Sequence, residues 1–303
     1  MATNHPALDR ILHDDERRAA FDLLSAQLSG SDLTTVLLGL AAERAERRTA
    51  SDVVKQYRQD RFVVRSPVDA LDLCRVELAA LEAAGSGGFE PIALAPLAPF
   101  GVHHVVGQTP QNNVVTTSRQ TEVAADPTVV LAVEAAVRRS SEPVHLAATQ
   151  RVTRAQHFEG PRSFAHFLIF GMLSAGRDRG DYRFEIDAMS HQIKVAIAAV
   201  RRVTDAPIRI RLTPFNPDIE ASCQRLVHAL SANDVDCDLW PEREHGRGYY
   251  QNLGFKLDVR LDDDVFEVGD GGDVYWTQQL MQDRKQRTVI GGLGLERLAM
   301  VAG

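Results

Sequence analysis

Apolar and polar positions in the first part of the chain alternate with helical spacing. In "SDLTTVLLGLAAERAERR", Leu33, Val36, Leu37, Leu40 and Ala41 fall on one face, with Ser31 or Asp32 placed to cap the start. In "SPVDALDLCRVELAALEAA", Leu71, Cys74, Leu78 and Leu81 recur in the same way. There Ser66 can cap, Pro67 suits the first helical position, and Asp69 favours the positive end of the helix dipole. The run "GSGG" at 85–88 then stops the helix.

From Phe89 onward the period changes. "FEPIALAPLAPFG" reads as extended and punctuated by proline. "VHLAATQRVTR" and "FAHFLIFGM" form two β-like runs joined by the polar loop "AQHFEGPRS". "DYRFEIDAMSHQIKVAIAAVRRV" passes from a short strand into a helix, and "IRIRL" alternates with period two. "FKLDVRLDDDVFEVGDGG" reads as a hairpin, with Phe255, Leu257, Val259 and Leu261 on one face. Neighbouring strands joined by tight turns predict an α+β fold, an antiparallel sheet flanked by helices. A helical N-terminal region over 1–86 precedes an α+β domain over 87–303.

Composition narrows the class of function. The chain has 303 residues, 44% of them hydrophobic and 25% charged, which suits a globular protein with a sizeable core. No apolar run approaches the ~18 residues of a membrane span, and the N-terminus lacks the pattern of a signal peptide. The three cysteines, Cys74, Cys223 and Cys237, show no metal-like spacing, so reduced thiols in a cytoplasm are expected. A formal net charge of −7 disfavours a general nucleic-acid binder.

Four stretches carry candidate chemistry. In "TQRVTRAQHFEGPRSFAHF", Arg154 ends one strand and Phe164 opens the next, with Arg162 between them. A guanidinium fits a phosphate and an aromatic face can stack on a base; a surface Arg and a core Phe fit the same pattern. In "EVAADPTVV", Asp126 and Thr128 precede a helix, where they can cap it or anchor an ammonium group. In "EHGRGYYQN", His245, Arg247, Tyr249 and Tyr250 can line a polar pocket or form a half-buried edge. In "TVIGGLGLERLAM", Gly294, Glu296 and Arg297 stand where a strand turns into a helix, whose N-terminus favours anions.

In this order the stretches resemble the catalytic domain of a class II aminoacyl-tRNA synthetase, closest to the histidyl type and to the regulatory subunit of ATP phosphoribosyltransferase. The segment around Pro96 resembles the first class II motif, which implies a homodimer. "TRAQ…RSFAHF" resembles the second motif, which implies that Arg154 meets the α-phosphate of ATP, Arg162 the outer phosphate, and Phe164 the adenine. Gln156 stands where that motif has Glu. "GLGLERL" resembles the third motif, with Arg297 on the γ-phosphate. Asp126 and Thr128 match positions that hold the substrate amino group. "HGRGYY" and "GDGGDVYW" resemble the two substrate signatures, but His245 and Asp273 replace their arginines, unless Arg247 substitutes for the first.

The resemblance implies ATP and Mg2+, with Arg154 and Arg297 as the catalytic cations. The departures argue against histidine as the substrate. The family's C-terminal anticodon-binding domain is not expected six residues past Arg297, which disfavours tRNA. The expected function is adenylation of a small amino acid or carboxylate for an acceptor other than tRNA. The alternatives are a catalytically silent paralogue that regulates a protein partner, and tRNA charging through the acceptor end alone.

Overall fold

The computed structural model describes residues 6–156, 164–231 and 235–302. Two compact units are present: one ends at Gln59 and includes Thr116–Thr121, and the other comprises Asp60–Val115 and the chain from Glu122 onward. The smaller unit holds α1 (Pro6–Ile11), α2 (Asp15–Asp22), α3 (Gly30–Glu46) and α4 (Ala50–Gln59). None of these four helices has a buried residue. The cap of α3 lies upstream of the expected pair. Ser29 is extended, and its Oγ accepts from the Asp32 N–H at 3.1 Å, so the helix starts at Gly30.

The larger unit opens with α5 (Ala70–Ser86), so this helix packs with the sheet, upstream of the change in sequence pattern at residue 86. Asp69 caps it, accepting from the N–H of Leu71, while Ser66 lies before the helix. Its buried face carries Leu73, Val76, Ala79, Ala80, Ala83 and Ala84. Leu71 and Leu78, on the face expected to be internal, are 66% and 58% exposed. Both stripes satisfy helical spacing; the alanine-rich one allows closer approach of a neighbouring helix, and it is the stripe the fold buries.

Next come β1 (Glu90–Pro91), β2 (Leu97–Pro99), the short α6 (Val102–Val105), β3 (Thr121–Val123) and α7 (Pro127–Arg138). The long strands β4 (Val144–Thr153) and β5 (His166–Arg177) lead to α8 (Arg183–Arg201). No strand opens the "DYRFEID" segment: Tyr182 adopts a left-handed backbone and the helix begins directly after it. The chain continues through β6 (Ile208–Pro214), α9 (Glu220–Ser231), β7 (Asp236–Leu239), β8 (Leu253–Leu261) and β9 (Asp264–Val274). It closes with α10 (Trp276–Met281), β10 (Gln286–Gly294) and α11 (Leu295–Ala302).

Eight strands form one sheet in the order β1-β4-β5-β10-β9-β8-β6-β7. The two outermost pairings are parallel and the rest antiparallel, giving the α+β architecture. Period-two alternation sorts the side chains into two cores. Phe170, Met172, Phe255 and Val289 face a core closed by α5, α8, α9 and α11. Leu146, Leu173 and Ile290 face a smaller one under α7 and α10, with Tyr250 and Trp276. Along β5, Phe167, Ile169 and Gly171 continue the face of Leu173, and this end of the sheet floors the site.

Candidate functional site

A cavity of about 610 Å3 opens over the ends of β5, β9 and β10. Its wall includes Asp126, Thr128, Arg154, Gln156, Phe164, His245, Arg247, Tyr249, Tyr250, Gly294, Glu296 and Arg297. The structure thus brings together residues that are up to 171 positions apart in the chain, and that the sequence singled out in four separate stretches. Arg162 lies outside the described residues. Asp273 is not in the wall.

Arg154 follows β4 directly. Its backbone N–H donates to Ala165 O at 2.8 Å, which registers the two stems of the hairpin. Its Nε donates to Ala125 O at 2.9 Å, and its guanidinium lies 5.3 Å from the centre of the Phe167 ring. Asp126 Oδ2 is 3.5 Å from the same guanidinium. Asp126 also caps α7: its Oδ1 accepts from the Thr128 N–H at 2.9 Å and from Thr128 Oγ1 at 2.6 Å. The first turn of α7 reaches the cavity because Gly171 lies beneath it, where a Cβ would meet Pro127 at 2.8 Å. A structural contact absent from the sequence reading steadies the same hairpin. Arg61 donates to the carbonyls of Ala155 and Gln156, and His166 Nε2 bonds Val64 O, so residues 61–64 hold both stems.

On the opposite wall, Gly294 ends β10 and α11 begins at once. A Cβ at Gly294 would meet nothing within 4 Å, so this position leaves room at the cavity wall. Glu296 is buried: Oε1 accepts from Arg151 at 3.0 Å and Oε2 from the Leu168 N–H at 2.7 Å. It braces α11 against β5. Arg297 donates to the backbone carbonyl of Glu267 at 2.9 Å and stays exposed.

The third wall is the irregular segment before β8. Tyr249 and Tyr250 pack edge to face at 5.0 Å, and Tyr250 stacks on Phe215 at 6.2 Å. Burial and the charge of Asp126 push the Tyr249 phenol up, and burial with Asp270 does the same for Tyr250, so both are hydroxyls at neutral pH. Beneath them lies an ionic group that sequence reasoning missed. The fully buried Arg243 donates to Asp270 at 3.1 Å, and Lys256 Nζ meets Asp270 at 2.9 Å and Glu267 at 2.5 Å. Lys256 and Asp270 are cross-strand partners on β8 and β9. Alternation against Phe255 and Leu257 did place Lys256 on the opposite face; nothing in the strand pattern marked that face as a cavity floor.

Asp273 does different work from that expected of a substrate residue. Its Oδ1 accepts from the N–H groups of Asn252 and Leu253 at 2.8 and 2.9 Å, and its Oδ2 from Asn252 Nδ2 at 2.6 Å. Burial raises its pKa against the opposing pull of these hydrogen bonds. It fastens the entry to β8. The strand period explains this: Asp270 and Asp273 are an odd number of residues apart on β9, so they leave the sheet on opposite faces.

No protein-family model matches the chain, and no curated protein sequence does. Solved structures do match. A protein from Bacillus halodurans, described as an ATP phosphoribosyltransferase regulatory subunit/histidyl-tRNA synthetase, superposes with a TM-score of 0.63 at 14% identity, over 80% of this chain and 82% of that one. Histidyl-tRNA synthetase from Nostoc sp. gives 0.61 at 14% identity, over 80% and 74% of the two chains. The apo enzyme from S. aureus gives 0.60 at 10% identity, over 78% and 72%. An eight-stranded, mostly antiparallel sheet with flanking helices, matched at this level, gives the chain a class II synthetase-like fold, shared with histidyl-tRNA synthetases.

Proposed function

We propose that the chain binds ATP in this cavity and activates the carboxyl group of a small amino acid or other carboxylate as an acyl-adenylate. The observation that carries the reading is the convergence of Arg154 and Phe164, from the two stems of the β4–β5 hairpin, and of Arg297, from α11, on one cavity. Phe164 offers a face for adenine, Arg154 a cation for the α-phosphate, and Arg297 a cation for the outer phosphates. The carboxylate oxygen attacks the α-phosphorus, the bond from that phosphorus to the bridging oxygen breaks, and pyrophosphate leaves. Arg154 is placed to stabilise charge on the five-coordinate phosphorus and Arg297 to hold the leaving group. Mg2+ carried by the nucleotide would offset the negative charge of its phosphates. The carboxylates facing the floor, Glu267 and Asp270, are held by Lys256 and Arg243. The activated acyl group passes to an acceptor other than full-length tRNA, and the working unit is a homodimer.

A second reading, a silent paralogue acting on a protein partner, has its own support. Asp273 is built into the fold, and Asp126 is already engaged by Thr128 and Arg154. Calorimetric titration with ATP and Mg2+ tests the first reading. Saturable binding below millimolar concentration is expected. No binding at millimolar concentration would make the cavity a relic and favour the second. If ATP binds, pyrophosphate exchange with a panel of amino acids separates catalysis from binding, and Asp126→Ala should abolish any signal found.

A further inference from the structure

One fully buried ionisable pair stands behind the cavity wall and takes no part in the chemistry above. His103 on α6 and Glu122 on β3 are both completely shielded from solvent. Glu122 Oε1 accepts from His103 Nδ1 at 2.6 Å and from the His103 backbone N–H at 3.0 Å. Its Oε2 accepts from the Gly101 N–H and from Gln111 Nε2, each at 2.9 Å. Burial alone would raise the carboxyl pKa. The bonds from Gln111, His103 and Gly101 outweigh it and hold the group below its ordinary 4.5.

The other edge of the ring faces the cavity wall. His103 Nε2 accepts from the backbone N–H of Ala125 at 3.1 Å and from that of Asp126 at 3.3 Å. A ring nitrogen that accepts carries no proton, so the proton sits on Nδ1 and is donated to Glu122. The remaining backbone groups of this segment are also paired. The Ala124 N–H donates to Pro96 O at 3.2 Å, and Ala124 O accepts from the Thr153 N–H at 2.9 Å. Ala125 O accepts from Arg154 Nε. Two adjacent N–H groups therefore depend on one imidazole, in a segment whose alanines are buried. Leaving them unpaired would cost more than the bonds themselves contribute, which ties the position of this peptide to the ring.

We propose that the His103–Glu122 pair is a positioning device that fixes the Ala125–Asp126 peptide and, through it, the Arg154 guanidinium and the Asp126 carboxylate for ligand binding. The ligand-binding consequence rests on the nucleotide reading of the cavity; the positioning of the peptide does not. An imidazole suits the task because one rigid ring carries a donor and an acceptor on opposite edges. Glu122 fixes which edge is which. Neither residue touches the ligand.

The test uses the whole chain as wild type, His103→Leu, His103→Gln and Glu122→Gln. Amide hydrogen exchange at Ala125 and Asp126 and the calorimetric affinity for AMP are read together. In His103→Leu, exchange at these two amides should quicken at least about tenfold relative to the rest of the sheet, and AMP should bind about tenfold more weakly. His103→Gln returns an acceptor and should restore at least half of each effect on a logarithmic scale, which a loss of packing alone would not. If His103→Leu does not fold, Glu122→Gln carries the comparison with a smaller change, about threefold, at the same amides. Unchanged exchange at Ala125 and Asp126 in the variants that fold, or a Gln variant as impaired as the Leu variant, would overturn the proposal. A wild-type protein without AMP affinity would sink the nucleotide reading alone, and the exchange data would still decide the positioning.

Discussion

The two ends of the cavity hold their charges differently. At the end that carries Arg154 and Arg297, Arg297 is anchored through a neutral carbonyl, Glu267 O, and Arg154 through Ala125 O, with Asp126 at 3.5 Å. At the end lined by Tyr249, Tyr250 and Asp270, each carboxylate is already met by donors of the chain. Asp270 has Arg243 and Lys256, Asp126 has Thr128, and Asp273 has been withdrawn into the fold altogether. An anion entering the first end competes with the Asp126 contact of Arg154 and otherwise with backbone carbonyls. A ligand at the second end must exchange partners with the protein, which costs desolvation and broken hydrogen bonds before anything is gained. A phosphate site needs cations held at the right place, whereas a specific acyl site needs donors and acceptors left open to a ligand.

Five substitutions break or sharpen that contrast. The largest effect is expected from Gly294→Leu. The new side chain enters open space at the phosphate end, so ATP affinity should fall about 100-fold or more, ~2.7 kcal/mol, while the melting temperature stays near that of wild type. Next come the two arginines. Arg154→Ala should weaken ATP and AMP alike by about 1.5–3 kcal/mol, and Arg297→Ala should weaken ATP by a similar amount while leaving AMP nearly unaffected. Equal losses of both nucleotides in Arg297→Ala would move that residue away from the outer phosphates. Phe164→Ala should cost less, about 0.5–1.5 kcal/mol, and should show as reduced preference for adenine over other bases in competition binding. The smallest effect on nucleotide belongs to the acyl end. Asp270→Asn should change ATP affinity by under about 0.5 kcal/mol, although it disturbs the Arg243 and Lys256 contacts. An ATP loss as large as that of Arg297→Ala would show that the two ends are one electrostatic unit.

Much of the cavity wall around Arg154, Phe164 and Arg297 was legible in the sequence because its residues sit at element boundaries that local pattern marks. Arg154 and Phe164 flank a polar loop between two alternating runs, and Gly294, Glu296 and Arg297 stand where a strand turns into a helix. Pattern did not reveal the burial of Glu296, which depends on Arg151 and on Leu168, well over a hundred residues away. The acyl end was harder for the same reason. Asp270 and Asp273 look alike in "GDGGDVYW", and only the pairing of β9 with its neighbours separates the cavity face from the buried one. The His103–Glu122 pair left no local signal at all, since its partners come together through loops and short elements. Helix faces show the limit on propensity. Leu71 and Leu78 of α5 are spaced as well as the residues on its alanine-rich face, and the choice between the two stripes was made by what packs against the helix.

The central claim is that the cavity is a nucleotide site with a direction, base at Phe164 and outer phosphates at Arg297. A crystal structure of the chain with a non-hydrolysable ATP analogue and Mg2+ tests it most directly. The account predicts adenine against Phe164, the α-phosphate within hydrogen-bond reach of Arg154, and the γ-phosphate on Arg297 beside Gly294. A nucleotide bound elsewhere, or one reversed so that its phosphates face Tyr249 and Asp270, would contradict it.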